Sequence, residues 1–191
     1  MPLVEDALGQ VLQKYAYNAG MFYGSADGLD LGAGLIYRNV VHPSYNDETQ
    51  KYDTRAGAAF ILTHECDVDP ANSRHFNDEV AVIPIIMFDQ FCEWFAREES
   101  PGALFAFIDN LAKDVVSRVM YLPPVPRHIT DFMPTGGLIY LNNVCSSPTA
   151  LFGEGAVTPV CALSSYALQF FDMKLENHFR RPKAQALPRL R

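Results

Sequence analysis

Hydrophobic positions change their spacing several times along the chain. Over residues 2–18, Val4, Leu8, Val11, Leu12 and Tyr15 recur at helical intervals, which predicts an N-terminal helix. The glycine-rich stretch "YGSADGLDLGAG" predicts an irregular loop. A first strand is expected over 34–40, "GLIYRNV". The polar "HPSYNDETQKYDTRAG" after it predicts a long surface loop. Apolar runs return in "AAFILTHEC" (58–66) and "EVAVIPII" (79–86). They predict two antiparallel strands joined by "DVDPANSRHFND", with Pro84 marking a bulge or an edge.

The period then lengthens. Phe88, Phe91, Cys92 and Phe95 share one helical face in "MFDQFCEWFAREE". In "SPGALFAFIDNLAKDVVSRVMYL", Ser100 is placed as N-cap and Pro101 at the first helical position. Leu104, Phe107, Ile108, Leu111 and Val115 form the apolar stripe, and "PPVP" stops the helix. "GGLIYLNNVC" (136–145) reads as a strand and "AVTPVCAL" (156–163) as another short one. A last helix starts near Ser164 or Ser165, buries Leu168, Phe171 and Leu175, and ends at Pro182. The pattern predicts one α+β domain over 1–182, with 87–120 as a helical insertion and 183–191 as a basic tail.

Composition adds limits rather than detail. Of 191 residues, 49% are hydrophobic and 19% charged, which suits a globular core. The net charge of −7 argues against a nucleic-acid binder, since such proteins neutralise phosphates. A local exception is the basic cluster Lys174, Arg180, Arg181, Lys183, Arg189 and Arg191. No signal peptide is expected from "MPLVEDALGQ", and no apolar run reaches the length of a membrane span. The four cysteines form no C-x-x-C pair. The expected setting is cytoplasmic, with reduced thiols.

The chemistry concentrates in "FILTHECDVDPANSRHF" (60–76). Read as a strand end, it places His64 and Cys66 on one face and Glu65, Asp67 and Asp69 on the other. Three carboxylates suit a hard cation, and His64 with Cys66 is part of a softer site. The candidate metal ligands are therefore His64, Glu65, Asp67 and Asp69. A nucleophilic Cys66 would need a base, with His75 placed across the turn and Arg55 as a source of positive charge. Asp67, beside the thiol, completes a candidate catalytic set of Cys66, Asp67, His75 and Arg55. A plainer reading stands beside both. Asp67 and Asp69 precede a Pro-Ala-Asn turn, where aspartates accept backbone N–H groups, and Cys66 can be a small core residue. There is no P-loop, G-x-G-x-x-G or G-x-S-x-G motif, and the sequence identifies no cofactor.

The succession "GAGLIYRNV", a variable loop, "AAFILTHECD" and "VAVIPII" resembles the core of the MazF/PemK-type toxins, which are RNA-cleaving SH3-like β-barrels. "ILTHECDVD", "YLPPVP", "GGLIYLNNV" and "HFRRP", in that order, are similar to an uncharacterised bacterial group across 34–182. Its central strand ends in Leu/Val-Ser/Thr-x-Asp/Glu-Cys-Asp-Ile/Val. The toxin resemblance implies an SH3-like antiparallel barrel carrying an N-terminal helix, an inserted helical segment and a C-terminal helix. It also implies a catalytic Arg before the central strand, where Arg55 stands, and a Ser/Thr at the end of the next strand. That second position falls in "IPIIM", which offers no hydroxyl. Two functions follow as expectations. One is a non-catalytic interaction or regulatory module in a phage-related or mobile-element setting, with a protein partner or a second copy. The other is a hydrolase or nuclease using Cys66 and Asp67 with a nearby His or metal. Contact with nucleic acid is expected only through the basic tail, and none with a membrane.

Overall fold

A computed structural model describes residues 19–46, 48–69, 71–72, 78–153 and 155–179. The predicted helix over 2–18, the turn at Pro70, His75, the stop at Pro182 and the basic tail lie outside the described residues.

The chain is α+β. After a short helix α1 (Ala19–Phe22) come β1 (Tyr23–Gly24), β2 (Leu35–Asn46), β3 (Lys51–Ile61), helical turn α2 (Glu65–Val68) and β4 (Glu79–Met87). Helices α3 (Phe88–Glu98) and α4 (Pro101–Ala112) follow, then β5 (Val119–Leu122), β6 (Gly137–Tyr140) and β7 (Cys145–Pro148). The turn α5 (Ala150–Gly153), β8 (Thr158–Leu163) and α6 (Ser165–Phe179) complete the order. Among the described residues, eight strands pair antiparallel in the order β1-β8-β2-β3-β4-β6-β5, with β7 also on β4. Among the described residues the sheet is open: its pairing does not join the two ends into the closed barrel expected from the resemblance. Among the described residues, no helix is long and apolar enough to cross a membrane.

Both faces of the central strands are covered, which explains their continuous apolar runs. On one face Ile36, Phe60, Ile83 and Ile139 pack with Phe171 of α6. On the other, Tyr37, Ile61, Val80 and Val82 form a second core with Phe152. Leu138 and Tyr121 turn toward a third, where Phe88, Cys92, Leu104, Ile108 and Leu111 seat α3 and α4 on β5 and β6. Each large side chain so buried contributes about 1.5–3 kcal/mol. Ser100 caps α4, accepting from the Ala103 N–H at 3.3 Å, and Pro101 opens it. Ser164 accepts from the Ala167 N–H at 3.2 Å, which fixes the start of α6.

Five expectations need correction. The polar stretch 42–57 is no loop: β2 and β3 continue as a two-stranded arm, paired from Val41↔Ala56 to Asn46↔Lys51. Its residues are mostly exposed, so no buried periodicity marked it. The strand through Cys66 stops at Ile61, because His64 caps a helical turn. The second inserted helix ends at Ala112, where Asp114 adopts φ 57, and Val115 is exposed rather than part of the stripe. Residues 119–122, expected within that helix, form β5; residues 145–148 form the unforeseen β7. Pro84 marks neither a bulge against β3 nor an edge of the sheet: it faces Ala59 in unbroken register. It stands where the outer partner of β4 changes from β7, which pairs through Val82, to β6, which pairs from Ile85.

Candidate functional site

The stretch after β3 begins with a clamp on β4. Leu62 N–H donates to the Ala81 carbonyl at 2.9 Å, and Thr63 Oγ1 accepts from the Ala81 N–H at 2.7 Å. This holds the chain to the sheet until His64, whose extended backbone turns it into α2. Asp67 N–H then donates to the His64 carbonyl at 2.9 Å, and Asp69 N–H to the Glu65 carbonyl at 3.0 Å. A helical turn does not alternate faces. The division into a His64/Cys66 face and a Glu65/Asp67/Asp69 face therefore does not hold.

The glycine-rich loop closes over this turn. A Cβ on Gly32 would lie 2.9 Å from Glu65 Cβ and 3.1 Å from its backbone N, so only glycine admits this approach. Asp30 and Leu31 thereby form one wall of a cleft of about 350 Å³, with Glu65, Cys66, Val68 and Asp69 opposite. Cys66 is half-buried, and its Sγ lies 3.9 Å from Asp67 Oδ1, a long thiol-to-carboxylate contact. Its carbonyl accepts from Asn72 Nδ2 at 2.8 Å. Asp69 Oδ1 accepts from the Ala71 N–H at 2.8 Å, the turn-closing role that aspartate favours.

The contacts of His64 are to a backbone amide and a carboxylate. Its Nδ1 lies 3.5 Å from the Cys66 N–H and 3.4 Å from Glu65 Oε2. The two contacts are alternatives: the unprotonated nitrogen accepts from the amide, and the protonated one donates to the carboxylate. Arg55 sits on the exposed arm opposite His42, six residues before the end of β3, roughly 20 Å along the strand. It does not join Cys66. Of the candidate catalytic set, the described structure brings together Cys66 and Asp67. His64 and Glu65 are neighbours, yet among the described residues no three His, Cys, Asp or Glu side chains gather as metal ligands.

Cys92 and Cys161 are fully buried, and burial pushes each thiol up to about 12. Asp89 adds to the effect at Cys92. Cys145 is also raised by burial. Tyr23, buried beside Cys161 and Tyr121, is raised well above the usual phenol range, chiefly by loss of solvent. Its hydroxyl donates to the Pro123 carbonyl at 2.6 Å, which anchors the "PPVP" segment.

Sequence reasoning missed the contribution of Asp30 and Leu31. The pairing of loop 23–34 with α2 had one clue, Gly32, which reads alone as a flexible position. No known family model matches the chain, and no curated protein or solved structure matches it.

Proposed function

We propose that this chain is a non-catalytic interaction or regulatory module. The observation that carries the reading is the surface of α3. Phe91, Phe95 and Phe107 pack against one another in tilted ring contacts, with centroids 5.0–5.8 Å apart. Trp94 lies against Phe91 and Phe95, yet is 55% exposed. Tryptophan held rigidly on an aromatic base and open to solvent is the residue type that anchors protein interfaces. Gln90 and Arg97 flank it on the exposed side of the helix. A distant kinship with MazF/PemK-type barrels and with the group sharing the strand-end pattern is part of the proposal. It is supported by the antiparallel succession of β2, β3 and β4. The test is affinity capture with the wild type and Trp94→Ala, followed by sizing of the purified complex. A stoichiometric companion lost with Trp94→Ala supports the reading; capture unchanged by the substitution, or no companion at all, counts against it.

A second reading, a hydrolase or nuclease using Cys66 and Asp67, is favoured by the cleft beside Cys66. It predicts that Cys66 alkylates faster than free cysteine and that Cys66→Ser abolishes the activity. Alkylation no faster than free cysteine removes its main support.

A further inference from the structure

The β2–β3 arm has two unlike faces. Directly opposed pairs share a face. Val41↔Ala56, Pro43↔Thr54 and Tyr45↔Tyr52 alternate with His42↔Arg55, Ser44↔Asp53 and Asn46↔Lys51. One face is thus apolar and the other charged or polar. The two tyrosines meet edge-on with centroids 5.3 Å apart, and Tyr52 is 75% exposed. Asn46 Oδ1 accepts from the Glu48 and Thr49 N–H groups, and its Nδ2 donates to Asp53 Oδ2 at 2.8 Å.

A two-stranded ribbon is marginal in water. Among the described residues, β4 pairs with β3 only from Ala59 to Ile61, so the edge from Lys51 to Ala58 has no strand beside it. The opposite edge, on β2, carries Pro43, which cannot donate to a ladder. The β3 edge carries no proline. Its side chains read Lys51, Tyr52, Asp53, Thr54, Arg55, Ala56.

We propose that this edge pairs antiparallel with the same edge of a second copy of the chain, about a two-fold axis at Thr54. The sequence is self-complementary in that register. Asp53 faces Arg55 of the second copy, and by symmetry Arg55 faces its Asp53. Tyr52 faces Ala56 of the second copy on the apolar side. The two arms become one four-stranded sheet with a continuous apolar face. Centring the axis at Asp53 instead would set Lys51 against Arg55, like charge on like. Alternating charges on an edge discourage foreign strands, and the one strand certain to match this alternation is its own copy. The interface is separate from the Trp94 surface and does not rest on it. The resulting dimer is weak and concentration-dependent.

Charge reversal tests the register. Asp53→Arg places two arginines opposite each other twice, and Arg55→Asp does the same with two aspartates. Sedimentation velocity should show a wild-type dimer and a dimer constant weakened at least about tenfold in each single variant. Mixing the two variants should restore the dimer as a heterodimer, since each Arg then meets an Asp. Amide exchange on the wild type is independent of any variant. Protection within Lys51–Ala58 should rise with protein concentration. A monomeric wild type, dimers unaffected by either reversal, no restoration in the mixture, or exchange insensitive to concentration would each overturn the proposal. None of these outcomes bears on capture through Trp94, so the two readings fail separately.

Discussion

Removing the carboxylate of Asp114 should cost more than removing the lysine it holds. Lys174 lies in α6 and is only 4% exposed, and its ammonium donates to Asp114 Oδ1. Asp114 follows α4 and is 44% exposed, so the pair ties the end of the insertion to the C-terminal helix. In Asp114→Asn the ammonium stays buried without its counter-charge. Breaking a fully buried pair in this way costs about 3–5 kcal/mol. Here water reaches the carboxylate side and the new amide oxygen still accepts a hydrogen bond, so about 2 kcal/mol is expected. Asparagine also tolerates the φ of 57, which keeps backbone strain out of the comparison. In Lys174→Met the volume is kept and the remaining carboxylate turns to solvent, so the loss should stay below about 1 kcal/mol. Urea unfolding at constant m-value measures both. Thermal scans should place Asp114→Asn about 4–8 °C below wild type. Greater damage from Lys174→Met, or wild-type unfolding of Asp114→Asn, would contradict this ranking.

Stability should also fall with pH above about 9. The unfolded thiols of Cys92 and Cys161 ionise near 9.0, while the folded ones hold their protons to about 12. The unfolded state therefore binds fewer protons in this window. Stabilisation present below pH 9 is lost as pH rises, by about 1 kcal/mol for each thiol at pH 10. Melting temperatures from pH 8 to 10.5 should fall, and Cys92→Ala should flatten the slope relative to its own value at pH 8; an unchanged slope would speak against burial as the cause. Gly136→Ala should destabilise by at least about 3 kcal/mol, because φ is +81 and the added Cβ would lie 2.3 Å from the Leu122 carbonyl oxygen. A variant with wild-type melting would show that the β5–β6 connection is packed differently.

The strands whose side chains serve two cores were legible because both faces are apolar: Ile36, Phe60 and Ile83 face one core, Tyr37, Ile61 and Val82 the other. The arm was hidden for the converse reason. Lys51, Asp53 and Arg55 alternate with Tyr52 and Thr54 in the open, so propensity read as a loop what cross-strand pairing makes a ribbon. Cys66 and Asp67 were singled out by residue type, but their geometry was misjudged, since His64 stops the strand by capping a turn. That decision lies in a local competition between ladder and cap, which apolar runs do not record. Asp30 and Leu31 reach the cleft only through the close approach of Gly32 to Glu65, a tertiary fact with no local period.

We propose that the α3 surface around Trp94 meets a protein partner. A photoreactive residue in place of exposed Gln90, one turn before Trp94, tests it inside the cell, with the same residue at exposed Asp172 of α6 as the control. A discrete adduct is expected from position 90, and it should disappear when Trp94 is also changed to Ala. The same adduct pattern from positions 90 and 172, or an adduct indifferent to Trp94, would contradict it.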